Sequence, residues 1–330
     1  MSNKLKIVLT GGNGFLGSHL VDRLLLESAE IHCIVRPTSN LKWLEGKDVK
    51  IHTCGLTDVD ALAKVFDKAD YIFHLAGTVT ALKYEDYYYG NVELTINILE
   101  AALVQKATIK KIVVTSSLAV GGPCTKDTPL DESGPFNAVS LYGKAKVAQE
   151  KVCAQYFDRL PITIARPSVI SGSREVELFE FIKTVKHGLV PLVGYNDKYL
   201  SIVNVRDLVE AFYQMALVEK TSGQAYYLSA EELVSWKELG EICANKLGKN
   251  PLYLRLPHFV IRLAGKIAGL FGKLQGKAPT FDYEKAKEGV QEAWICKVDK
   301  AKKDFGFKQT VLIKEGVEDA IDWYKKNKWL

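Results

Sequence analysis

The sequence predicts an α/β fold in which a doubly wound parallel sheet carries a smaller, mostly helical lobe. Strand and helix patterns alternate through the first half of the 330 residues, whereas helical patterns dominate the second half. At the start of the chain an apolar run enters a glycine-rich turn, and a helical pattern follows at once. Alternation of this kind specifies a parallel sheet that helices cover on both faces.

Each element rests on its own pattern of apolar residues. Short apolar runs predict strands, and apolar residues that recur every three or four positions predict helices. The expected strands are Lys6–Leu9, Glu30–Val35, Val49–Thr53, Tyr71–Leu75, Lys111–Thr115 and Ile162–Ala165, then Tyr199–Val203 and Gln224–Leu228. The expected helices are Phe15–Leu26, Asp58–Phe66, Asn91–Val104, Leu141–Tyr156 and Asp207–Ala216. Ligands of such sheets bind beyond the carboxyl ends of the strands.

Composition and charge argue against several classes of function. The formal net charge of +5 is too small and too evenly spread to indicate a nucleic-acid partner. None of the six cysteines stands in a C-x-x-C pair or a metal-ligand spacing, so we expect no metal site and reduced thiols. We find no apolar segment long enough to cross a bilayer and expect no signal peptide. These features predict a cytoplasmic protein.

The glycine-rich turn predicts a dinucleotide site. Its glycines fit both G-x-x-G-x-x-G and G-x-G-x-x-G between a strand and a helix, which is the dinucleotide fingerprint. Glycine permits positive φ and lets the backbone approach a pyrophosphate, while the helix offers N–H groups and a positive dipole end. The alternative is a tight structural turn. The residues expected at the phosphates are Thr10, Gly11, Gly14, Phe15, Leu16 and Gly17.

The end of the second strand bears on which dinucleotide binds. Arg36 lies about 20 residues past the glycine turn, where NAD-specific folds usually carry an acid for the ribose 2′-hydroxyl. A guanidinium suits a 2′-phosphate by its charge and its planar donors, and Thr38 and Ser39 add hydroxyl donors. An arginine stacked on adenine fits either cofactor. We therefore expect NADP, with NAD as the alternative.

Candidate catalytic residues follow the fifth strand. Ser117 comes just after this strand, and Tyr142 and Lys146 stand four residues apart on the next helix, so they share a face. The same Tyr-x-x-x-Lys spacing recurs at Tyr283 and Tyr324, on predicted surface helices to which we assign no chemistry. Only the first pair follows a sheet strand that ends in serine. The alternative is three ordinary side chains of a strand end and a helix.

These three side chains suit proton transfer that accompanies hydride transfer. A phenol has a pKa of about 10, and a neighbouring ammonium or an oxidised nicotinamide stabilises the phenolate and lowers that pKa. We expect Tyr142 to exchange a proton with a carbonyl or alcohol oxygen as general acid/base. Ser117 would hydrogen-bond the same oxygen, and Lys146 would tune Tyr142 and hold the nicotinamide ribose.

Further motifs extend along the chain. They are Thr10-Gly-Gly-Asn-Gly-Phe-Leu-Gly17, His74-Leu-Ala-Gly77, Asn91, Thr115-Ser-Ser117, Tyr142-Gly-Lys-Ala-Lys146, Arg166-Pro-Ser168, Asn204-Val-Arg-Asp207 and Gly223-Gln-Ala-Tyr-Tyr-Leu228. Together they resemble the extended short-chain dehydrogenase/reductase family, also called the NAD-dependent epimerase/dehydratase family, over nearly the whole chain. The resemblance implies a Rossmann fold and an NAD(P) cofactor, and it gives the catalytic roles to Ser117, Tyr142 and Lys146.

The resemblance also implies the remaining cofactor contacts. Those on the adenine side are Leu56, Leu75 and Ala76, and those beside the nicotinamide are Thr115 and Pro167, followed by Val169 and Ile170. One departure concerns adenine, because Gly55 stands where members usually carry an acid, although Asp58 lies nearby. A second concerns the substrate, because Leu200-Ser201-Ile202 lacks the arginine with which many nucleotide-sugar enzymes hold a pyrophosphate.

These departures make the chain more similar to the dihydroflavonol-reductase and 3β-hydroxysteroid-dehydrogenase-like branch. The resemblance then implies an NADP(H)-dependent oxidoreductase that acts on a carbonyl or secondary alcohol of a bulky, largely apolar small molecule. One alternative is a nucleotide-sugar epimerase or dehydratase that retains NAD. Another is a non-catalytic nucleotide-sensing or membrane-associated scaffold, which an intact Ser117, Tyr142 and Lys146 set argues against.

The chain divides by this interpretation into two parts. We expect an NAD(P)-binding domain from 1–172 with 199–228, and a substrate-binding lobe from 173–198 with 229–330. Residues 252–276 are apolar with interleaved cations, which fits an amphipathic helix on a membrane surface, a helix over an apolar substrate pocket, or a helix packed on the core. A homodimer through the helices Asn91–Val104 and Leu141–Tyr156 is a further expectation from the family resemblance.

Overall fold

A central sheet of seven parallel strands confirms the predicted α/β class. The structure is a computed structural model that describes residues 4–330. The strands of this sheet are β1 (Leu5–Thr10), β2 (Ala29–Ile34), β3 (Lys50–His52), β4 (Tyr71–His74), β5 (Lys111–Thr115), β6 (Ile162–Pro167) and β10 (Gln224–Leu228). They lie in the order β10-β6-β5-β4-β1-β2-β3, so the chain fills the sheet in both directions from β1. This order leaves a crevice at the carboxyl ends of β1 and β4.

Helices cover both faces of the sheet because successive side chains of a strand point to opposite sides. In β1, Ile7 and Leu9 enter one apolar core, whereas Val8 enters the other. The first core includes buried residues of α1 (Phe15–Leu24), α7 (Val205–Leu217) and α11 (Asp299–Phe305). The second includes those of α2 (Val59–Phe66), α4 (Leu94–Val104) and α5 (Leu141–Ala154).

The helix expected at Asn91–Val104 begins differently from the prediction. A short helix, α3 (Tyr84–Tyr88), runs into a π-helical turn at Tyr89–Glu93, and regular α-helix starts only with α4. Asn91 is fully buried in this turn, where its amide group donates hydrogen bonds to two backbone carbonyls. A π-turn adds one residue to the helix without breaking it, and such turns are frequent at functional sites.

A second, smaller sheet forms the centre of the other lobe. Its strands are β7 (Val169–Ser171), β9 (Tyr199–Asn204), β11 (Leu233–Ser235) and β13 (Ala293–Trp294), while β8 (Leu189–Val193) pairs separately with β12 (Leu252–Leu256). The helices of this lobe are α6 (Glu177–Lys186), α8 (Trp236–Leu247), α9 (His258–Gln275), α10 (Tyr283–Gly289) and α12 (Ile313–Lys326). The lobe buries its own apolar core, to which α6, α8 and α12 contribute.

The domain division expected from the sequence differs from this strand pairing at two places. We expect 199–228 in the NAD(P)-binding domain, but β9 pairs with β7, β11 and β13 in the smaller sheet. We expect 229–330 in the other lobe, but α11 packs on the core of the main sheet, where Phe305 meets Tyr226 edge to face at 5.1 Å between ring centroids. In both cases the segments that come into contact are distant in sequence, so apolar patterns alone did not reveal the pairing of β9 or the packing of α11.

The stretch 252–276 is also different from the single helix expected. Its first five residues form β12, which pairs in parallel with β8, and the helix α9 begins only after Pro257. The interpretation of α9 as a core helix is wrong, because Gly265 and Gly272 are the only buried residues among its 18. Within residues 4–330, no helix has both the length and the apolar character that crossing a bilayer requires.

A buried ion pair attaches α5 to the main sheet. Glu150, on α5, accepts hydrogen bonds from the Arg166 guanidinium of β6 at 2.7, 2.9 and 3.2 Å, and from the Ser116 hydroxyl at 2.5 Å. Glu150 and Arg166 are 5% and 7% exposed, so each charge depends on the other for its neutralisation. A buried charge that loses its partner is strongly destabilising.

Replacement of Glu150 by leucine tests this attachment. Because Arg166 would be left buried without the carboxylate that it hydrogen-bonds, the free energy of unfolding should fall by about 3–5 kcal/mol. The double variant Glu150→Leu/Arg166→Met removes both charges and should recover most of that loss. Urea denaturation measures both values, and a double variant no more stable than the single one would contradict the proposed coupling.

Candidate functional site

The glycine-rich turn between β1 and α1 has the shape that a dinucleotide phosphate needs. Gly11 has φ +73°, and a Cβ there would lie 2.8 Å from the backbone nitrogen of Ala76. A Cβ on Gly17 would lie 2.1 Å from the carbonyl oxygen of Gly11, so no larger residue fits either position. Gly14 is the N-cap of α1, and no side chain caps that helix. Its first turn therefore presents backbone N–H groups, which favour an anion.

The other predicted cofactor residues lie along the same edge of the sheet. Thr10, Thr115 and Pro167 end β1, β5 and β6, and Leu75 follows β4 directly. These strands are neighbours in a parallel sheet, so their carboxyl ends meet at one crevice. Val169, 39% exposed, opens β7 just beyond β6. The structure thus brings the expected phosphate, adenine-side and nicotinamide-side residues to one continuous edge.

At the end of the crevice where we expect the adenine, the backbone conformation favours glycine at position 55. Gly55 has φ +69°, a conformation that side-chain-bearing residues rarely adopt, and its N–H donates to the carbonyl of Val35. Asp58 does not replace the acid, because its carboxylate accepts the N–H of Ala61 and caps α2. Leu56, the next residue, is buried in the core to which α2, α4 and α5 contribute.

Arg36 lies on the surface beyond the end of β2. Its side chain is exposed and has no ion-pair partner among residues 4–330. Its backbone N–H donates to the Ser39 hydroxyl oxygen at 3.1 Å, so the loop that follows β2 turns back on itself here. A free guanidinium and adjacent hydroxyls are the groups that bind a phosphate monoester.

The three candidate catalytic side chains meet beside the end of β5. Ser117 lies just after β5 and interacts with the Tyr142 phenol, whose phenolate it stabilises. Lys146 lies one turn further along α5, with its Nζ 5.9 Å from the centre of the Tyr142 ring. Lys146 is 4% exposed and donates to the carbonyl of Thr115 at 2.9 Å. The predicted spacing therefore produces a compact cluster at the crevice.

Burial has the largest influence on the ionisation of Tyr142. Burial raises the pKa of Tyr142 to about 12, and the hydrogen bond with Ser117 offsets only part of this shift. Burial also lowers the pKa of Lys146, to about 8. Desolvation is the largest cause of both pKa shifts. In this state Tyr142 holds its proton, as a general acid must.

A buried chain of hydrogen bonds connects Lys146 to the glycine-rich turn. Lys146 donates to the Gln149 side-chain oxygen at 2.9 Å, and the Gln149 amide donates to the Thr95 hydroxyl at 2.9 Å. Thr95 gives its own proton to the carbonyl of Asn91, so it accepts a proton from Nε2 of His74 at 2.9 Å. This assignment leaves Nδ1 of His74 as the acceptor for the Thr10 hydroxyl at 2.7 Å.

His74 is consequently neutral with its proton on Nε2. Burial lowers the pKa of His74 to about 3, and the nearby charge of Lys146 acts in the same direction. The Thr10 hydroxyl oxygen accepts the backbone N–H of Ala76 at 3.2 Å. This series of hydrogen bonds therefore ends where the glycine-rich turn after β1 approaches the loop after β4. A fully satisfied buried network of this kind holds its members in one geometry.

Two buried polar atoms at the crevice have no partner among residues 4–330. They are the side-chain oxygens of Asn91 and Thr115. A Cβ on Gly77 would lie 2.6 Å from that Asn91 oxygen and 3.4 Å from Nζ of Lys146, so only glycine leaves this approach open. Unsatisfied buried polar atoms are costly. Their position beside Lys146 fits the ribose and amide groups that a nicotinamide dinucleotide carries.

Sequence reasoning missed the contribution of α10. Glu284 accepts the backbone N–H of Leu141 at 2.8 Å, which fixes α10 against the start of α5. Lys285 and Glu288 act electrostatically on Tyr142 in opposite directions. Only the Tyr-x-x-x-Lys motif drew attention to this helix, and Tyr283 of that motif is 36% exposed.

The third Tyr-x-x-x-Lys pair was predicted on a surface helix, and that prediction is wrong for its tyrosine. Tyr324 is fully buried on α12, and its hydroxyl lies 2.8 Å from the carbonyl of Glu175, to which it donates. This tyrosine therefore has a packing role in the core of the smaller lobe.

Gln149 provides a test of the buried chain. Gln149→Leu removes an acceptor of the Lys146 ammonium, so the pKa of Lys146 should fall below its value of about 8. Competitive acetylation across a pH series, followed by peptide mass spectrometry, measures this pKa. Gln105→Leu, which removes a glutamine that donates to the carbonyl of Ala63, is the matched control and should leave it unchanged. An unchanged Lys146 pKa in Gln149→Leu would contradict the network.

Comparison with known proteins agrees with this geometry. Residues 7–228 match the model of the NAD dependent epimerase/dehydratase family. N-acetyl-alpha-D-glucosaminyl-diphospho-ditrans,octacis-undecaprenol 4-epimerase of Escherichia coli O157:H7 is 27% identical over 288 residues, which cover 82% of this chain and 81% of that protein. 2-alkyl-3-oxoalkanoate reductase of Shewanella oneidensis is 23% identical over 338 residues, covering 94% of this chain and 84% of the reductase.

The fold has close counterparts among solved structures. UDP-glucose 4-epimerase of Thermotoga maritima, solved with UDP-glucose, superimposes with a TM-score of 0.81 at 19% identity, covering 98% of this chain and 100% of the epimerase. At that identity the likeness shows the fold alone. The family match, which spans the glycine turn, the strand ends and the Ser117, Tyr142 and Lys146 cluster, identifies the chain as a member of the NAD dependent epimerase/dehydratase family and an NAD(P)-dependent enzyme of the extended short-chain dehydrogenase/reductase type.

Proposed function

We propose that the protein transfers a hydride between NADP(H) and a carbonyl or secondary alcohol of a bulky, largely apolar small molecule. The observation that carries this proposal is the cluster of Ser117, Tyr142 and Lys146 at the carboxyl edge of the sheet. The cofactor site is proposed from the turn at Gly11 to Gly17 and from the strand ends. When bound, the nicotinamide would supply the hydride and, once oxidised, a positive charge.

The side chains of this chain account for the movement of the proton. Ser117 accepts the N–H of Ala119 at 3.2 Å, and its own proton, which is directed at the Tyr142 oxygen, would turn to a substrate oxygen that lies beside both hydroxyls. With its raised pKa, Tyr142 donates its proton to that oxygen in the reducing direction. The Lys146 ammonium is held by Thr115 and Gln149, and it places a positive charge beneath the forming phenolate.

The preference for an apolar substrate is supported by the smaller lobe. Strand β9 contains no cationic residue, so it offers no positive charge to a substrate pyrophosphate. Its residues Leu200, Ser201 and Ile202 are buried. The Shewanella oneidensis relative is named as a reductase of 2-alkyl-3-oxoalkanoates, which are ketones with apolar chains. Both observations favour net reduction or oxidation of an apolar ketone or alcohol.

A nucleotide-sugar or lipid-linked-sugar epimerase that retains NAD is the second candidate. The E. coli relative is named as a 4-epimerase of a sugar joined to undecaprenol through a diphosphate. An epimerase regenerates its cofactor in each cycle, so it consumes none. Incubation with NADPH and a panel of ketones, then with UDP-sugars, distinguishes the candidates, because loss of NADPH absorbance accompanies only net reduction.

The expected homodimer and the cytoplasmic location stay predictions. The family members named above act on small molecules, and we propose the same kind of partner for this chain. Analytical ultracentrifugation measures the oligomeric state directly.

Tyr142→Phe tests the catalytic assignment. Loss of the proton donor should lower turnover roughly 10²–10⁴-fold while the affinity for NADPH changes little. The matched control is Tyr283→Phe, which alters the tyrosine of the Tyr283 and Lys287 pair on the surface and should retain activity. Near-normal turnover in Tyr142→Phe would remove the basis for the proposed mechanism.

Arg36→Ala tests the choice of dinucleotide. Loss of a charged hydrogen bond to the 2′-phosphate should weaken NADPH binding roughly tenfold and leave NADH binding unchanged. Fluorescence titration with each cofactor measures both affinities. Arg159→Ala, at another exposed arginine, is the control. Equal losses for NADPH and NADH would instead indicate stacking on adenine.

A further inference from the structure

Helix α9 is attached to the protein by its small residues. Gly265, Gly269 and Gly272 recur every three or four positions and so form one face of the helix. A Cβ on Gly265 would lie 2.6 Å from the carbonyl oxygen of Asp282, and one on Gly272 would lie 2.6 Å from Pro279. The helix backbone therefore lies directly against α10 and the segment that precedes it.

The opposite face of α9 is apolar and points away from the protein. Its large side chains also recur every three or four positions, and they are between 48% and 76% exposed. They are Phe259, Leu263, Ile267, Leu270, Phe271 and Leu274. A surface helix of a globular protein normally buries this face against the core. Over an 18-residue helix about 27 Å long, the exposed stripe is far more than scattered apolar residues.

One edge of this apolar stripe is positively charged. Arg262, Lys266 and Lys273 lie on one line along the helix, and all three are exposed. The 18 residues of α9 include no aspartate or glutamate. Lys266 lies 5.3 Å from the centre of the Tyr283 ring, and neither Arg262 nor Lys273 has an ion-pair partner within residues 4–330. The helix thus combines an outward apolar face with an uncompensated cationic edge.

We propose that α9 docks the enzyme onto an anionic lipid membrane surface. The apolar side chains enter the boundary between headgroups and acyl chains, and the cationic edge lies among anionic headgroups. The helix lies parallel to the surface, because its glycine face remains packed on α10. This proposal is independent of the reaction and of the cofactor preference.

A second copy of the chain fits this face less well. Two such faces would bring together two cationic edges with no carboxylate on either helix to pair with them. An anionic headgroup layer complements the same charges. Arg255, just before the helix, adds no unpaired positive charge, because it forms an ion pair with Asp197 at 2.9 Å.

Vesicle flotation of the full-length protein tests the apolar face. The wild-type protein should float with vesicles of phosphatidylcholine and phosphatidylglycerol, and much less with phosphatidylcholine alone. Leu263→Glu/Leu270→Glu should weaken binding at least about 100-fold, because two large apolar side chains no longer enter the lipid. The matched control, Leu26→Glu/Leu312→Glu, changes leucines that are 79% and 55% exposed elsewhere, and it should bind like wild type.

A second pair of variants tests the charged edge. Arg262→Glu/Lys273→Glu should weaken binding to the anionic vesicles at least about tenfold, and added salt should weaken wild-type binding. Lys106→Glu/Lys308→Glu changes the net charge equally at other exposed sites and should bind like wild type. All altered positions are exposed, and thermal unfolding verifies that each variant is folded.

Three results would overturn the proposal. The first is a wild-type protein that does not float with the anionic vesicles. The second is binding by the α9 variants equal to that of their matched controls, which would indicate non-specific attraction. The third is a wild-type dimer that Leu263→Glu/Leu270→Glu converts to a monomer without any vesicle binding, which would identify a second copy as the occupant.

Discussion

The structure depends on the buried polar contact between α5 and the main sheet. This helix carries Tyr142 and Lys146, and the ion pair of Glu150 with Arg166 fixes its position on β6. Buried charges tolerate little displacement, because any gap between them exposes each to an apolar interior. The geometry of the candidate catalytic cluster is therefore set two turns along the helix from the phenol itself.

The hydrogen bonds from Lys146 extend this constraint across the sheet. Through Gln149, Thr95 and His74 they reach Thr10, where the glycine turn begins. The helices α5 and α4 and the strands β4 and β1 are thus joined by polar contacts as well as by apolar packing. The proposed phosphate and nicotinamide ends of the crevice belong to one connected network, and a single tautomer of His74 satisfies it.

Burial has opposite effects on the two ionisable groups of the cluster. It raises the pKa of Tyr142 and lowers that of Lys146, so in each group the neutral form is favoured more than it is in water. The smaller lobe adds charge to this environment through Lys285 and Glu288 of α10. The same lobe turns the apolar face of α9 outward, so the α9–α10 pair has one side near the phenol and the other on the surface.

The sequence alone determined the alternating strands and helices, the glycine turn and the Ser117, Tyr142 and Lys146 cluster. These features depend on short-range spacing, which sets backbone conformation and helix faces directly. The family motifs extended this to the ends of the strands, which the parallel order of the sheet brings to one edge. Most strand and helix bounds were therefore predicted to within a few residues.

Only the tertiary structure decided the features that join distant segments. It placed β9 in the smaller sheet, α11 on the core of the main sheet, and α10 against the start of α5. It also buried Tyr142 and so raised its pKa, because desolvation depends on everything packed around the phenol. The apolar pattern of α9 is visible in the sequence. Which side of this helix meets the protein was decided only by the tertiary structure, because its glycines contact α10 and the segment before it.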